Sequence, residues 1–360
     1  MIHGGQRYFR QLLRPVISQF LISNFPLALH VFQDPLIRFL LLPFAFLYGI
    51  GVGIRDFLYR RKLLLSVKFD LPVISVGNLA VGGAGKSPHI EYLVRLLRPY
   101  LEVGVLSRGY RRKTQGFRIV KPFSTAEDVG DEPLMFGRKF PDVFVAVNES
   151  RSLGIPQILQ HQPGTQVVLL DDAFQHRSVA PGLNILLTEF SHPFTRDFLL
   201  PSGRLREWRS AYRRADFIIV TKCPPDLTLE EREKMVREIN PYSHQQVFFS
   251  AYRYLQPHYI FNPNYKLELQ EDMEVLLVTG IASTEHLVKY LEGKVGVVRQ
   301  QEYGDHHYFE ESDMEYIQKR FEALSWSKKA ILTTEKDAVR LELHRAWIIE
   351  KKLPVCVLPV

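Results

Sequence analysis

Val81-Gly82-Gly83-Ala84-Gly85-Lys86-Ser87-Pro88-His89 follows the apolar run Leu71-Pro72-Val73-Ile74-Ser75-Val76 and precedes Ile90-Glu91-Tyr92-Leu93-Val94-Arg95-Leu96-Leu97. The first run has the composition of a buried parallel strand, and the last spaces its apolar residues as a helix does. Strand, glycine-rich loop, Gly-Lys-Ser and helix in that order describe a phosphate-binding loop. Gly82, Gly83, Ala84 and Gly85 let backbone N–H groups curl round phosphate oxygens, and Lys86 brings a mobile positive charge. Ser87 offers a hydroxyl to Mg²⁺, and the helix opening through Pro88 adds its dipole. Ala80 stands where the usual G-x-x-x-x-G-K-[ST] pattern has its first glycine. The chain is expected to bind a nucleoside triphosphate.

From Leu71 onward, strands and helices alternate in the manner of a doubly wound sheet. Glu102 to Leu106, Val143 to Val147, Gln166 to Leu170, Leu183 to Leu187 and Asp216 to Val220 read as strands. Polar residues gather after their C-terminal ends, the edge where open parallel sheets bind ligands. Pro224-Pro225 and the charged helix Glu230 to Ile239 suggest a boundary, followed by a second alternation from Val275 to Leu332. The expected fold is α/β: a mostly parallel, doubly wound P-loop NTPase-like sheet with a second, smaller α/β lobe. The expected division is an N-terminal segment 1–62, a core 63–235 and a small lobe 236–360.

A chain of 360 residues with a 46% hydrophobic share can bury a substantial core. Cys223 and Cys356 show neither a pairing pattern nor metal-ligand spacing, which suits a reducing compartment. A net charge of +7 favours anionic partners. Residues 39–54, FLLLPFAFLYGIGVGI, carry no charge and are flanked by Arg38 and by Arg55, Arg60, Arg61 and Lys62. The segment is short for a bilayer span, which needs about twenty apolar residues. An interfacial helix with arginines at the headgroups fits it best; a buried helix and a true span are the alternatives. Residues 1–35 read either as a second membrane-contacting helix or as a dispensable extension.

Asp171-Asp172 closes an apolar strand, where a phosphate-loop enzyme needs a carboxylate to hold Mg²⁺. Phosphoryl transfer to an alcohol also needs a group for the hydroxyl proton, and two candidates stand out. One is Asp131, in Gly130-Asp131-Glu132-Pro133, read as a residue held on a loop; the other is Asp305-His306-His307. Arg108, Arg151, Arg204 and Arg206 follow strands and could meet developing charge. Zinc is disfavoured, because no second His/Cys cluster lies at ligand spacing.

Read together, these pieces resemble the tetraacyldisaccharide 4′-kinase family, from about Leu36 to Arg340. The matching strings, in order, begin with Leu41-Leu42-Pro43-Phe44, Ile74-Ser75-Val76-Gly77-Asn78 with the phosphate loop, and Leu106-Ser107-Arg108-Gly109-Tyr110. Gly130-Asp131-Glu132-Pro133, Asp171-Asp172-Ala173-Phe174-Gln175-His176-Arg177 and Gly203-Arg204-Leu205-Arg206-Glu207 come next. Asp305-His306-His307 and Thr334-Glu335-Lys336-Asp337 complete the set. Ala173, Ser87 and Trp208 depart from the family's usual glycine, threonine and proline.

The resemblance implies ATP- and Mg²⁺-dependent phosphorylation of the 4′-hydroxyl of an acylated glucosamine disaccharide 1-phosphate, at the cytoplasmic face of a bacterial inner membrane. Carried over, it makes Asp131 the base, assisted by His306, with Lys86 at the β/γ-phosphates and Arg151 on phosphate. Ser87, Asp172 and Glu207 would lie at the metal, and Arg108, Tyr110, Asp171, Gln175, His176 and Arg206 would face substrate. Closure of the small lobe is expected to complete the site. Two rival readings are a membrane-peripheral NTPase switch and a nucleic-acid-binding module; the second is disfavoured by arginines placed at strand ends rather than along one helical face.

Overall fold

The computed structural model describes residues 35–360, so the reading of residues 1–34 lies outside the described residues. The first element is a helix, α1 (Pro35–Arg60), longer than the sixteen uncharged residues suggest and running straight through Pro43. It is long and apolar enough to cross a membrane by length and composition, and very little of it is buried. Leu36, Phe39, Leu40, Phe44, Phe46, Leu47 and Ile54 are exposed. Its buried residues are the small Ala45 and Gly49. The Trp208 indole occupies the space that a Cβ on Gly49 would need, and its Nε1 donates to the Gly49 carbonyl at 2.8 Å. Asp56 then anchors the C-terminal end of α1 through Arg177 and Arg213.

The core is an eight-stranded sheet in the order β3-β4-β2-β5-β1-β6-β7-β8. Its strands are β1 (Val73–Asn78), β2 (Val103–Ser107), β3 (Arg118–Ile119), β4 (Phe144–Val147), β5 (Val167–Asp171), β6 (Leu183–Glu189), β7 (Phe217–Thr221) and β8 (Gln246–Phe249). All pairings are parallel except β3 with β4. Near-continuous Val, Ile and Leu in β1, β2 and β5 follow from helices covering both faces. The strand order reverses between β1 and β5, so ligands are expected beyond the C-terminal tips of those two strands. β8 pairs with β7, so the core sheet extends to Phe249, past the boundary expected at residue 235.

The smaller lobe holds a six-stranded sheet, β10-β9-β14-β13-β11-β12. It comprises β9 (His258–Tyr259), β10 (Asn262–Lys266), β11 (Met273–Thr279), β12 (Val297–Glu302), β13 (Lys328–Thr334) and β14 (Val355–Leu358). The last strand lies outside the alternation read from the sequence; its Val-Cys-Val-Leu is wholly buried beside β13.

Three helices position the site: α2 (Lys86–Leu97) after the phosphate loop, α3 (Asp131–Lys139) in the core, and α4 (Glu335–Leu341) in the small lobe. The Lys139 ammonium sits between Glu91 of α2 at 2.5 Å and Glu335 of α4 at 2.6 Å, and Arg138 pairs with Glu342. Both lobes are therefore tied to α3. Glu91 is buried, so removing Lys139 would leave its charge undercompensated.

Candidate active site

The site begins at the tip of β1. Gly77 can only be glycine there, because a Cβ would lie 2.7 Å from the Phe174 Cβ and 2.8 Å from its backbone nitrogen. That close approach brings the segment after β5 against the segment leading into the phosphate loop. Asn78, the last residue of β1, becomes a hub. Its side-chain oxygen accepts from Lys86 Nζ at 3.3 Å and from Arg206 Nη2 at 2.6 Å. Its carbonyl accepts from Gln175 Nε2 and Arg206 Nη2, both at 2.9 Å.

The loop turns through Gly82 and through Gly85, whose φ of +81° is a left-handed conformation suited to glycine. Lys86 Nζ also lies 3.7 Å from Asp172 Oδ1. Arg206 grips the same carboxylate with two nitrogens, at 2.9 and 3.2 Å. Burial works against charge on Asp172, but the Lys86 and Arg206 cations outweigh it and hold its carboxyl well below the usual range. Asp171 behaves in the opposite sense. Burial, then the Glu132 and Asp172 charges, push it up to about 7, while Ser107 Oγ donates to its Oδ2 at 3.0 Å. Its Oδ1 is buried without a hydrogen-bond partner.

Asp131 is the first residue of α3 rather than a loop residue. It follows Gly130, whose φ of +92° is suited to glycine and where a Cβ would lie 3.1 Å from the Gly109 Cα. At this helix start, a carboxylate is favoured by the dipole. Glu132, next along, accepts from Ser87 Oγ at 3.0 Å, which sets Asp131 beside the phosphate loop. His306 reaches across from the small lobe, its Nδ1 2.8 Å from Asp131 Oδ2. Burial alone would raise Asp131; the His306 hydrogen bond and the Lys336 and Arg340 charges hold it far below the ordinary carboxylate value.

The His306 loop is held from the core. Arg111 donates from Nη1 to the carbonyls of Asp305 at 2.8 Å and His306 at 3.0 Å. The Tyr110 ring meets the His306 ring edge-on, with centroids 5.0 Å apart. His306 and Asp131 are thus already in contact in this arrangement of the lobes.

Lys86, Ser87, Asp131, Asp171, Asp172, Gln175, Arg206, Tyr110 and His306 lie in one connected set around the tips of β1, β2 and β5. Arg108 is exposed at the tip of β2. His176 is half-buried; desolvation, then the Arg151 and Arg108 charges, bring it down to about 4. Two residues face elsewhere. Arg151 is wholly buried and donates to the carbonyls of Asn148 at 2.9 Å and Asp171 at 2.7 Å, so it supports the end of β5 from within. Glu207 is paired with Arg214, whose guanidinium stacks over Phe174 at 4.6 Å. Among the described residues no group of three or more His, Cys, Asp or Glu side chains forms a ready metal cage.

Sequence reasoning assigned no role to Asn78, Glu132, Lys336, Arg340 or Arg111. Asn78 and Glu132 sit inside strings noted for their neighbours, where a polar residue at a strand tip or helix start was the available signal. Lys336 lies inside the Thr334–Asp337 string and Arg340 just beyond it, but neither has a readable role there, since their contacts depend on how the lobes dock.

A profile of the tetraacyldisaccharide-1-P 4′-kinase family matches residues 37–360. The chain is 46% identical over 316 residues to the tetraacyldisaccharide 4′-kinase of Parabacteroides distasonis, with 86% of each protein aligned. To that of Phocaeicola vulgatus it is 43% identical over 325 residues, 89% of each. A crystal structure of LpxK from Aquifex aeolicus in complex with ATP superposes with a TM-score of 0.68 at 30% identity, covering 89% of this chain and 93% of that one. Similarity at this level over nearly the whole length leaves one assignment: the chain belongs to the tetraacyldisaccharide 4′-kinase family.

Proposed function

We propose that this kinase transfers the γ-phosphoryl group of ATP to the 4′-hydroxyl of an acylated glucosamine disaccharide 1-phosphate, yielding the bis-phosphorylated lipid A precursor. The observation that carries the reading is the link from Ser87 through Glu132 to Asp131, which sets a carboxylate beside the phosphate loop at a lobe boundary. In this reading the loop amides from Gly82 to Gly85 and the Lys86 ammonium hold the donor's phosphates. Asp131 accepts the hydroxyl proton, and His306 holds that carboxylate in line with the acceptor. The low proton affinity of Asp131 suits a loose transition state, in which positioning of the alcohol matters more than early proton removal.

The residues fit a divalent cation. A serine hydroxyl, the ionised Asp172 and the partnerless Oδ1 of Asp171 are hard oxygen donors, and Mg²⁺ usually takes one or two carboxylates together with substrate phosphates. Its contribution when bound is to neutralise charge on the transferred group. Ser87 and Asp172 would hold it, with Asp171 supporting. Glu207, paired with Arg214, would act through the Arg206 segment rather than on the ion. Arg108, Tyr110, Gln175 and His176 line the approach for the sugar, while Arg151 stiffens the end of β5.

A tetraacylated acceptor does not leave the bilayer readily, so its kinase works at the surface. The exposed apolar side of α1, with Arg55, Arg60, Arg61 and Lys62 at one end, suits an anionic headgroup layer on the cytoplasmic side. Phe39→Asp combined with Phe46→Asp is expected to lower binding to anionic phospholipid vesicles by about tenfold or more, from the lost burial of two aromatic side chains. Flotation measures this, and unchanged circular dichroism is expected because both rings are exposed.

The direct test mixes purified protein with γ-labelled ATP, magnesium and the acylated disaccharide monophosphate. Label in the lipid supports the reading. ATP hydrolysis that ignores the lipid would favour the switch-type NTPase instead.

A further inference from the structure

We propose that Lys336 is a positioning residue of the transfer reaction: its ammonium holds His306 as the Nδ1–H tautomer and so directs that hydrogen at Asp131. The inference rests on the reading of Asp131 as proton acceptor given above.

The geometry allows little else. His306 Nε2 lies 2.9 Å from Lys336 Nζ, and an ammonium has three hydrogens and no lone pair. Contact at hydrogen-bond distance therefore requires a lone pair on Nε2. The remaining nitrogen, Nδ1, then carries the ring hydrogen and donates it to Asp131 Oδ2 at 2.8 Å. Lys336 is held as an ammonium by the carboxylates around it: Glu132 Oε1 at 3.4 Å, Asp305 Oδ1 at 3.8 Å, and Asp131 beyond His306. Burial opposes that charge, yet the Glu132, Asp131 and Asp305 charges keep its proton affinity above that of an ordinary lysine.

One further link makes this more than local packing. Glu132 Oε1, 3.4 Å from the Lys336 ammonium, is the atom that accepts from Ser87 Oγ at 3.0 Å. A single cation on α4 of the small lobe thus contacts both the Asp131–His306 pair and the Glu132–Ser87 pair. Without it, His306 Nε2 has no donor, the ring can carry its hydrogen on either nitrogen, and Asp131 faces a lone pair in a fraction of molecules. A carboxylate so repelled turns away from the acceptor hydroxyl.

The experiment is ¹⁵N NMR of histidine-labelled full-length protein, with the His306 ring signals assigned by a His306→Asn variant, alongside steady-state kinetics. Wild type should show hydrogen on Nδ1 and a lone pair on Nε2. Lys336→Met should show a mixture of tautomers, with kcat lowered by about 10- to 100-fold and KM for ATP changed by less than about twofold. Lys336→Arg keeps a cationic donor and should retain the Nδ1–H form. Hydrogen on Nε2 in the wild type overturns the proposal, as does a Lys336→Met protein whose tautomer and kcat are unchanged. If Lys336→Met fails to fold, the wild-type and Lys336→Arg spectra decide it. Failure of the functional reading looks different: wild type would then phosphorylate no lipid, whatever the tautomer.

Discussion

Asp131→Ala is expected to lower kcat for lipid phosphorylation by about 10²- to 10⁴-fold, the range for losing a positioned general base, while ATP binding survives. The asymmetry follows from placement. Asp131 sits at the start of α3 and touches His306 of the small lobe, whereas the phosphate loop is held by Asn78 and Asp172, which do not contact it. Isothermal titration with ATP and single-turnover transfer on the same variant separate the two effects. Equal loss of ATP affinity and of turnover would remove the proposed role. A smaller fold defect is expected as well, because Lys336 and Arg340 would lose a neighbouring carboxylate. The pH dependence carries a sign. With its folded proton affinity depressed, Asp131 stays ionised from neutral pH well into the acid range, so loss of kcat between pH 6 and 8 would not be its titration. Stability contributed by the ionised carboxylate is present above its unfolded pKa and disappears only as pH falls through the depressed folded value.

Lys86→Met is expected to act differently. It removes the one mobile cation of the loop, so both ground-state phosphate binding and charge stabilisation in the transition state decline. The drop in kcat should be about 10²- to 10³-fold, as for loss of one preorganised donor to a reacting oxyanion, accompanied by weaker ATP binding. The structure supplies a second consequence. Lys86 and Arg206 together hold Asp172 ionised, so without Lys86 the Arg206 guanidinium alone would restrain that carboxylate. A shift of the magnesium response to higher concentration at fixed ATP is expected in the variant, measured by titrating the metal. A Lys86→Met enzyme with wild-type KM for ATP and wild-type magnesium response would refute the assignment of the loop lysine.

The two variants differ because their residues belong to different parts of the machine. In the proposed reaction Lys86 lies on the element that would grip the donor and Asp131 on the element that would face the acceptor, which is bolted to both lobes through Lys139, Glu91 and Glu335. Contact between His306 and Asp131 is present in this arrangement of the lobes, so closure of the small lobe has no gap between these two residues left to close.

What the sequence determined by itself was local chemistry with local periodicity. The strand-loop-helix around Lys86 is readable because every group it needs lies within about twenty residues and each obeys a short-range rule: apolar run, glycines, then amphipathic helix. The alternation that yields the α/β class is legible for the same reason. Tertiary structure alone decided the rest. The start of α3 at Asp131, rather than a loop there, depends on Gly130 packing against Gly109. The true length of α1 depends on a helix continuing past Pro43 into charged residues, which apolar composition underestimates. β8 joins the large sheet through its pairing with β7, although a proline break and a helix separate them in sequence. The resemblance placed Arg151 on phosphate and Glu207 at the metal, yet packing sets the first against the end of β5 and gives the second to Arg214. The role of Lys336, part of a matching string, stayed unreadable for the converse reason: its partners Glu132 and His306 come from opposite lobes, and only the docking of α4 on α3 brings a cation between them. Side-chain identity announces what a residue can do, but the direction in which it points is set by packing, within a few residues for Glu207 and Arg214 and across two lobes for Lys336 and Glu132.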